Sequence, residues 1–313
     1  MLLTRPLKGD NIAIYRRKHI EYASFCKILV IPKTENITMR TETRRKEMCK
    51  CKMVAKGFLE VVLSTIVMTS LLGCAEFRTM GPMAGTYHGP SRDIEGGRAH
   101  AFVTLDTSGR PTAIGVRMSE TALAGLPAEP PRDADGWEYV LSLPKEAAIS
   151  GYDHVVIDWN PKGHIPPGVY DKPHFDFHFY LISAEQREKI TAKGEDLARA
   201  HRAPAPEFMP EGYILPDGTE VPRMGAHAID PAGPEFNKLP FTKTFIYGFY
   251  DGQMIFLEPM MTKAFLETKP NVMDRVKLPK TYSKHAYYPT SYGVNYNAAE
   301  REYEISLEGL IFR

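Results

Sequence analysis

Residues 154–180 read HVVIDWNPKGHIPPGVYDKPHFDFHFY, a stretch holding four of the chain's ten histidines (His154, His164, His174, His178) and Trp159. Its last part, His174-Phe175-Asp176-Phe177-His178-Phe179, alternates strictly between polar and phenyl side chains. Successive side chains on a β-strand point to opposite faces. The alternation therefore predicts a strand with His174, Asp176 and His178 in a row on one face, and Phe175, Phe177 and Phe179 in the core on the other. His154 to Trp159 reads as a second strand. The loop between them, 160–173, contains four prolines and two glycines. Because proline fixes φ and lowers loop entropy, this long loop is expected to be ordered.

The same reading extends along the chain. His100–Leu105 and Thr112–Met118, joined by Asp106-Thr107-Ser108-Gly109, predict a hairpin. Phe241–Tyr250, Asp251-Gly252 and Gln253–Glu258 make the strongest hairpin signal. A smaller hairpin is expected over 213–222, around Pro216-Asp217-Gly218. Trp137–Leu143, Val294–Tyr296 and Glu302–Leu310 read as strands. Short helices are expected at Glu120–Gly125, capped by Ser119, and at Thr262–Thr268. A longer one is expected from Ala184 to Ala200, opened by a Ser183/Gln186 capping box and broken near Gly194. The sum is about ten strands with two or three short helices. The expected fold is mainly β, a single β-barrel or β-sandwich domain spanning 86–313.

Charge and cysteine separate the chain into two parts. Residues 1–52 hold 13 Lys/Arg against 5 Asp/Glu, whereas the rest holds 26 against 33. The body is thus mildly acidic, and the basic face that nucleic-acid binding requires is missing. Tyr and Phe together make 31 residues, a bias toward strands. All four cysteines (Cys26, Cys49, Cys51, Cys74) lie in the first 74 residues. A disulfide framework, thiolate metal ligands and cysteine nucleophiles are therefore excluded from the body. A Gly-x-Ser-x-Gly elbow, a phosphate-cradling glycine loop before a helix and a His-Glu-x-x-His helix are absent as well.

Residues 53–74 read MVAKGFLEVVLSTIVMTSLLGC. Lys50, Lys52 and Lys56 supply a positive start, Phe58–Ser70 a mostly apolar run, and Gly73 a small residue directly before Cys74. The segment resembles the lipobox of bacterial lipoprotein signal peptides. That resemblance implies acylation at Cys74, removal of residues 53–73 and, with Ala75 following, release to the outer membrane facing the periplasm. The membrane is then a partner through the lipid anchor. The apolar run is short for a span of about 20 residues and has no basic stop-transfer cluster. Residues 1–52 are expected to be a leader outside the fold, with Met48 or Met53 as natural starts, and 74–85 a short tether.

Imidazole and carboxylate together suit a divalent metal such as zinc, manganese, iron or copper. His174 and His178 are roughly 13 Å apart on a straight strand at ~3.3 Å per residue, too far for one ion. Any site must therefore be completed from elsewhere. The expected metal-binding residues are His164, His174, Asp176, His178 and Glu258, with His227 as a further one. Glu258 closes a strand at Glu-Pro, and His227 sits in Arg-Met-Gly-Ala-His-Ala-Ile-Asp. The bland alternative is a polar strand face hydrogen-bonded to its neighbours. The Asp153/Asp158 and Asp171/Asp176 carboxylates offer acid–base pairs that nothing singles out.

Residues 86–268 as a whole resemble an uncharacterised family of secreted bacterial proteins, a domain of unknown function. The resemblance is carried by Tyr87-His88-Gly89-Pro90, Trp159-Asn160-Pro161, Gly163-His164, Pro173 to Tyr180, Pro222-Arg223-Met224-Gly225, Phe241 to Gly252, and Phe256-Leu257-Glu258-Pro259-Met260. It implies a β-rich, extracytoplasmic domain and no particular reaction. A looser comparison is with the cupins, small β-barrels holding a metal with a His-x-His pair, a Glu and a distant His. This chain departs from them in having His-x-Asp-x-His. The expected function is an envelope-anchored lipoprotein that binds a small ligand or divalent metal. A metal-dependent cupin-like enzyme is the second expectation. A self-assembling structural protein, pairing through an exposed edge at the 241–258 hairpin, is the third.

Overall fold

The computed structural model describes residues 82–313 apart from Asp133 and Asp135; the leader, the lipobox-like segment, most of the tether and Cys74 lie outside the described residues. The described residues fall within one compact unit.

The turn at Asp106 shows how local chemistry starts the fold. The Asp106 carboxylate accepts hydrogen bonds from the backbone of Ser108 and Arg110, at 2.8 and 2.9 Å, the self-capping habit that places Asp in turns. This turn joins β3 (Gly97–Leu105) to β4 (Pro111–Ser119). Around that hairpin assemble β1 (Gly85–His88), β2 (Arg92–Ile94), β12 (Asn271–Arg275), β14 (Ser291–Asn297) and β15 (Glu302–Glu308). The first sheet has the order β1-β3-β4-β15-β14-β12, with β2 also on β3.

The second sheet contains β5 (Trp137–Ser142), β6 (His154–Asn160), β7 (His174–Tyr180), β8 (Glu220–Val221), β9 (Gly225–Ala228), β10 (Lys243–Tyr250) and β11 (Gln253–Thr262). Its order is β5-β6-β7-β11-β10-β9-β8, and every pairing is antiparallel. A small sheet pairs β13 (Tyr287–Tyr288) with β16 (Ile311–Phe312). The α-helices among the described residues are α1 (Glu120–Ala124), α2 (Ala184–Glu188), α3 (Leu197–Ala200) and α4 (Lys263–Glu267), none longer than five residues. None of the described helices is long and apolar enough to cross a membrane.

The fold is mainly β, as the alternation predicts, and two sheets enclose one apolar core. Ala101, Ile114, Val116 and Ile305 of the first sheet share it with Val155, Ile157, Trp159, Phe175, Phe177, Phe179 and Tyr247 of the second. All three phenylalanines of β7 are fully buried there. Trp159 packs against Phe175 and donates its indole N–H to the Pro127 carbonyl at 2.8 Å. Burial of an aromatic side chain of this kind contributes on the order of 2–3 kcal/mol.

Several local expectations hold. Asp251 and Gly252 both have positive φ, as a two-residue hairpin turn requires. Ser183 and Gln186 form the reciprocal capping box. Others are corrected. The Ala184–Ala200 helix exists only as α2 and α3, because Ala192 and Gly194 between them adopt positive φ. Ser119 does not cap α1, since its hydroxyl accepts instead from the Arg98 N–H across the hairpin. The 213–222 hairpin does not form: Glu220 and Val221 pair forward with β9, and Tyr213 caps its hydroxyl on Phe245. The described residues form sixteen strands where about ten were expected. The additional ones are short and borrow their hydrogen bonds from longer neighbours, so they leave little periodicity. The β10–β11 hairpin is not an edge, because β7 flanks it on one side and β9 on the other.

Candidate metal centre

The polar face of the second sheet is buried too. All seven residues of β6 and all seven of β7 are buried, including the row His174, Asp176, His178. At one end Tyr170, Phe241, Ile246 and Met260 form an apolar cluster. At the other end Val156, Tyr180, Ile190 and Phe256 form a second. Between them lies a patch of imidazoles and carboxylates.

Strand register determines who meets whom. Across β6–β7, Asp158 stands opposite Asp176 and Asn160 opposite His174. Across β7–β11, the ladder is registered at Leu257↔Phe179 and resumes at Met260↔Asp176. Glu258 falls in the gap, level with His178, where Pro259 has no N–H to continue the ladder. On the far side β10 pairs Gly248 with His227 of β9. A Cβ on Gly248 would come within 2.1 Å of the Phe256 ring. The bare glycine thus leaves room for Phe256 between His178 and His227, T-shaped to the first at 4.7 Å and tilted to the second at 5.3 Å between centroids.

The remaining donor arrives on the 161–173 loop. Gly163 turns the chain at φ 76°, and its Cα approaches the Tyr170 carbonyl so closely that a Cβ would sit 2.1 Å from the oxygen. The loop then closes through His164 N–H to Tyr170 O and Gly168 N–H to Asp171 Oδ2. The expected ordered loop is found, and it delivers His164 to the end of β7.

Two groups result, each of two histidines and one carboxylate with donor atoms within 4.8 Å of one another: His164, His174 and Asp176; and His178, His227 and Glu258. In the first, Asp176 Oδ2 lies 3.2 Å from His164 Nε2 and accepts from Asn160 Nδ2 at 2.7 Å, while Oδ1 lies 3.2 Å from His174 Nε2. In the second, Glu258 reaches His178 Nε2 at 3.5 Å and His227 Nε2 at 3.9 Å. Asp158 Oδ2 lies 2.9 Å from His178 Nδ1.

The imidazoles are oriented from behind. His164 donates Nδ1–H to Ile165 O at 2.7 Å, His174 to Lys172 O at 2.6 Å, and His227 to Thr219 O at 2.8 Å. A carbonyl can only accept, so Nδ1 carries the proton in all three. Each Nε2 is thereby aimed at a carboxylate, the tautomer and orientation typical of metal-ligating histidine. Yet Asp176 Oδ1, Glu258 Oε2 and His178 Nε2 are buried without a hydrogen-bond partner, and the 2.9 Å approach of Asp158 Oδ2 to His178 Nδ1 lacks hydrogen-bond geometry. Buried polar atoms are ordinarily satisfied.

The electrostatics are correspondingly tense. Among the described residues, Asp158, Asp176 and Glu258 make ion pairs only with histidine, never with Lys or Arg. Burial opposes charge on His164, but the Asp176 carboxylate outweighs it and lifts the imidazole to about 9. Burial also disfavours the Asp176 anion, yet His174 and His164 hold it well below the ordinary carboxylate range. Burial raises Asp158, and it raises Glu258 against the pull of His178. Burial together with the nearby His178 and His164 lowers His227 to about 4, which keeps its Nε2 lone pair free.

All six expected donors are therefore drawn onto one face, as two sets rather than one, with His174 and His178 in different sets. Asp158, which the sequence offers only as one carboxylate among several, joins the second set. Asn160 joins the first unannounced. Their signal was the parity of β6, where Asp158 and Asn160 share a face with His154. His154 itself stacks on Tyr180 and donates to Asp153, outside both sets. The cleft bordered by Leu143, Tyr152, Asp153, Leu181 and Lys284 includes none of these donors.

A family model described as TTHB210-like, hypothetical protein TTHB210, matches residues 106–159. This segment runs from the β3–β4 turn to Trp159 and includes Asp158 but none of the six other donors. No curated protein and no solved structure matches the chain.

Proposed function

We propose that this protein is an envelope-anchored lipoprotein whose β domain binds a divalent metal through the His/carboxylate face of its second sheet. The observation that carries the metal reading is the combination of back-tethered imidazoles and buried carboxylates whose ion pairs, among the described residues, are with histidine alone. Three Nε2 atoms point at carboxylates that have no Lys or Arg partner among the described residues. The imidazoles offset these charges, but taking such ion pairs out of water still costs several kcal/mol per ion. A dipositive ion supplies the missing charge and accepts the lone pairs at once. Imidazole-rich donor sets suit zinc, iron or copper better than calcium or magnesium. Anchoring rests on the Gly73-Cys74 motif behind its apolar run, and places the domain at the outer membrane facing the periplasm.

A metal-dependent enzyme is the second reading, favoured by two observations. Two histidines and one carboxylate leave coordination positions for water or substrate, as in catalytic zinc and non-haem iron sites. His164 and His227 keep 26% and 15% of their side chains exposed while the other four donors are almost fully buried, so the face opens to solvent between them.

The test is elemental analysis of the full chain, purified in detergent without chelator, beside the Asp176→Asn/Glu258→Gln double variant. A tightly held transition metal that disappears in the folded variant supports the metal reading. A parent that contains none, and whose melting is unchanged by zinc, iron(II), manganese or copper, overturns it. Labelled palmitate entering the parent but not Cys74→Ala tests the anchor.

A further inference from the structure

We infer that the polar face holds two ions, one in His164/His174/Asp176 and one in His178/His227/Glu258. This inference rests on the metal reading above and adds its stoichiometry.

Three observations separate the ions. First, no donor is shared: each set of atoms lies within 4.8 Å of one another, and the sets have no member in common. Ligand atoms around one such ion stand at about 2.0–2.2 Å from it, so atoms on opposite sides of it are about 4 Å apart. His174 and His178 are separated by four residues of fully extended strand, roughly 13 Å between their Cα atoms. One ion cannot serve both.

Second, the orphaned atoms are divided between the sets. Asp176 Oδ1 belongs to the first, while Glu258 Oε2 and His178 Nε2 belong to the second. Asp176, Glu258 and His178 are each more than nine-tenths buried. An ion in one set leaves the buried atoms of the other without a partner.

Third, the carboxylates are divided as well. Asp158, Asp176 and Glu258 bring three carboxylates to one face, and Asp158 stands directly opposite Asp176 on the neighbouring strand. Asp176 lies in the first set and Glu258 in the second, so each ion has a carboxylate of its own. Asp158 lies on the other side of the ring: its Oδ2 approaches His178 Nδ1 at 2.9 Å, while His178 Nε2 faces Glu258. The ligand class is a borderline divalent metal, zinc or iron(II), taken as a pair.

The experiment is cobalt(II) titration of the metal-stripped full chain in detergent, read by visible absorption, with zinc content measured after reconstitution and desalting. Two equivalents in the unsubstituted protein are expected. Asp176→Asn and Glu258→Gln should each retain one, and the double variant none, with circular dichroism verifying that each is folded. A single equivalent in the parent overturns the two-ion inference and leaves the metal reading standing. No equivalent in a folded parent overturns both. Because the parent titration decides the stoichiometry alone, a variant that fails to fold does not rescue the inference.

Discussion

Asp158 and Asp176 face each other directly across the β6–β7 ladder, both buried, and among the described residues neither has a lysine or arginine partner. Like charges opposed in an antiparallel pair are destabilising by themselves. The fold accepts this pair because imidazoles crowd around it, and a bound cation would relieve it further. Stability should therefore depend on metal. With free zinc at about 100 times its dissociation constant, one site adds about 2.7 kcal/mol, or roughly 5–10 °C in Tm for a domain of this size. Differential scanning fluorimetry of stripped and zinc-loaded protein measures this. The gain should vanish in the Asp176→Asn/Glu258→Gln double variant.

Gly163 should matter only to the first set. Its φ is 76°, and a Cβ would collide with the Tyr170 carbonyl. Gly163→Ala is expected to cost about 1–3 kcal/mol and to displace His164. Cobalt titration should then show weaker binding at the His164/His174/Asp176 set while the second set titrates as before. Equal weakening of both would mean that the loop supports the face as a whole.

Arg187 is 2% exposed, lies over the Tyr180 ring, and pairs with Glu138 at 2.5 Å. Arg223 reaches the same carboxylate at 2.8 Å. Removing Glu138 leaves the buried guanidinium only the more exposed Glu188 carboxylate, at 3.2 Å, and breaking a buried pair typically costs about 3–5 kcal/mol. Urea unfolding of Glu138→Ala should show a loss of that size. The Glu138→Ala/Arg187→Met double variant should recover most of it, since the charge is then gone.

Acid stability should carry the mark of Glu120. Side-chain contacts with Lys269 and Arg301 hold its carboxyl at about 2, against an ordinary value of 4.5. A depressed folded-state value means that its contribution is complete above pH 4.5 and is lost as pH falls toward 2. The site is exposed, so salt should weaken the effect. In pH-dependent melting, the parent should be more stable than Glu120→Gln near neutrality. The two curves should converge on acidification, and a constant gap down to pH 2 would count against this origin.

Much of the strand content was legible because alternation is local. Phe175, Phe177 and Phe179 enter the core since a strand has no other way to place every second residue. Asp251-Gly252 turns because both positions accept positive φ. The candidate site was legible in its residue types but not in its grouping. The β1 strand was hidden in a Gly/Pro-rich stretch, and β8 in what read as a separate hairpin. Both are short and depend on partners distant in sequence.

By itself, the amino-acid order determined that His174, Asp176 and His178 share a face, and that no single ion could take both histidines. Those conclusions need only the two-residue repeat and the rise per residue. Only the tertiary structure decided that His164 closes one set and His227 the other, that Glu258 lies level with His178, and that Asp158 confronts Asp176. Register between strands, and the path of a loop over a sheet, depend on how the whole core packs. Residues far apart in the chain therefore acquire their chemistry only when the sheet is complete.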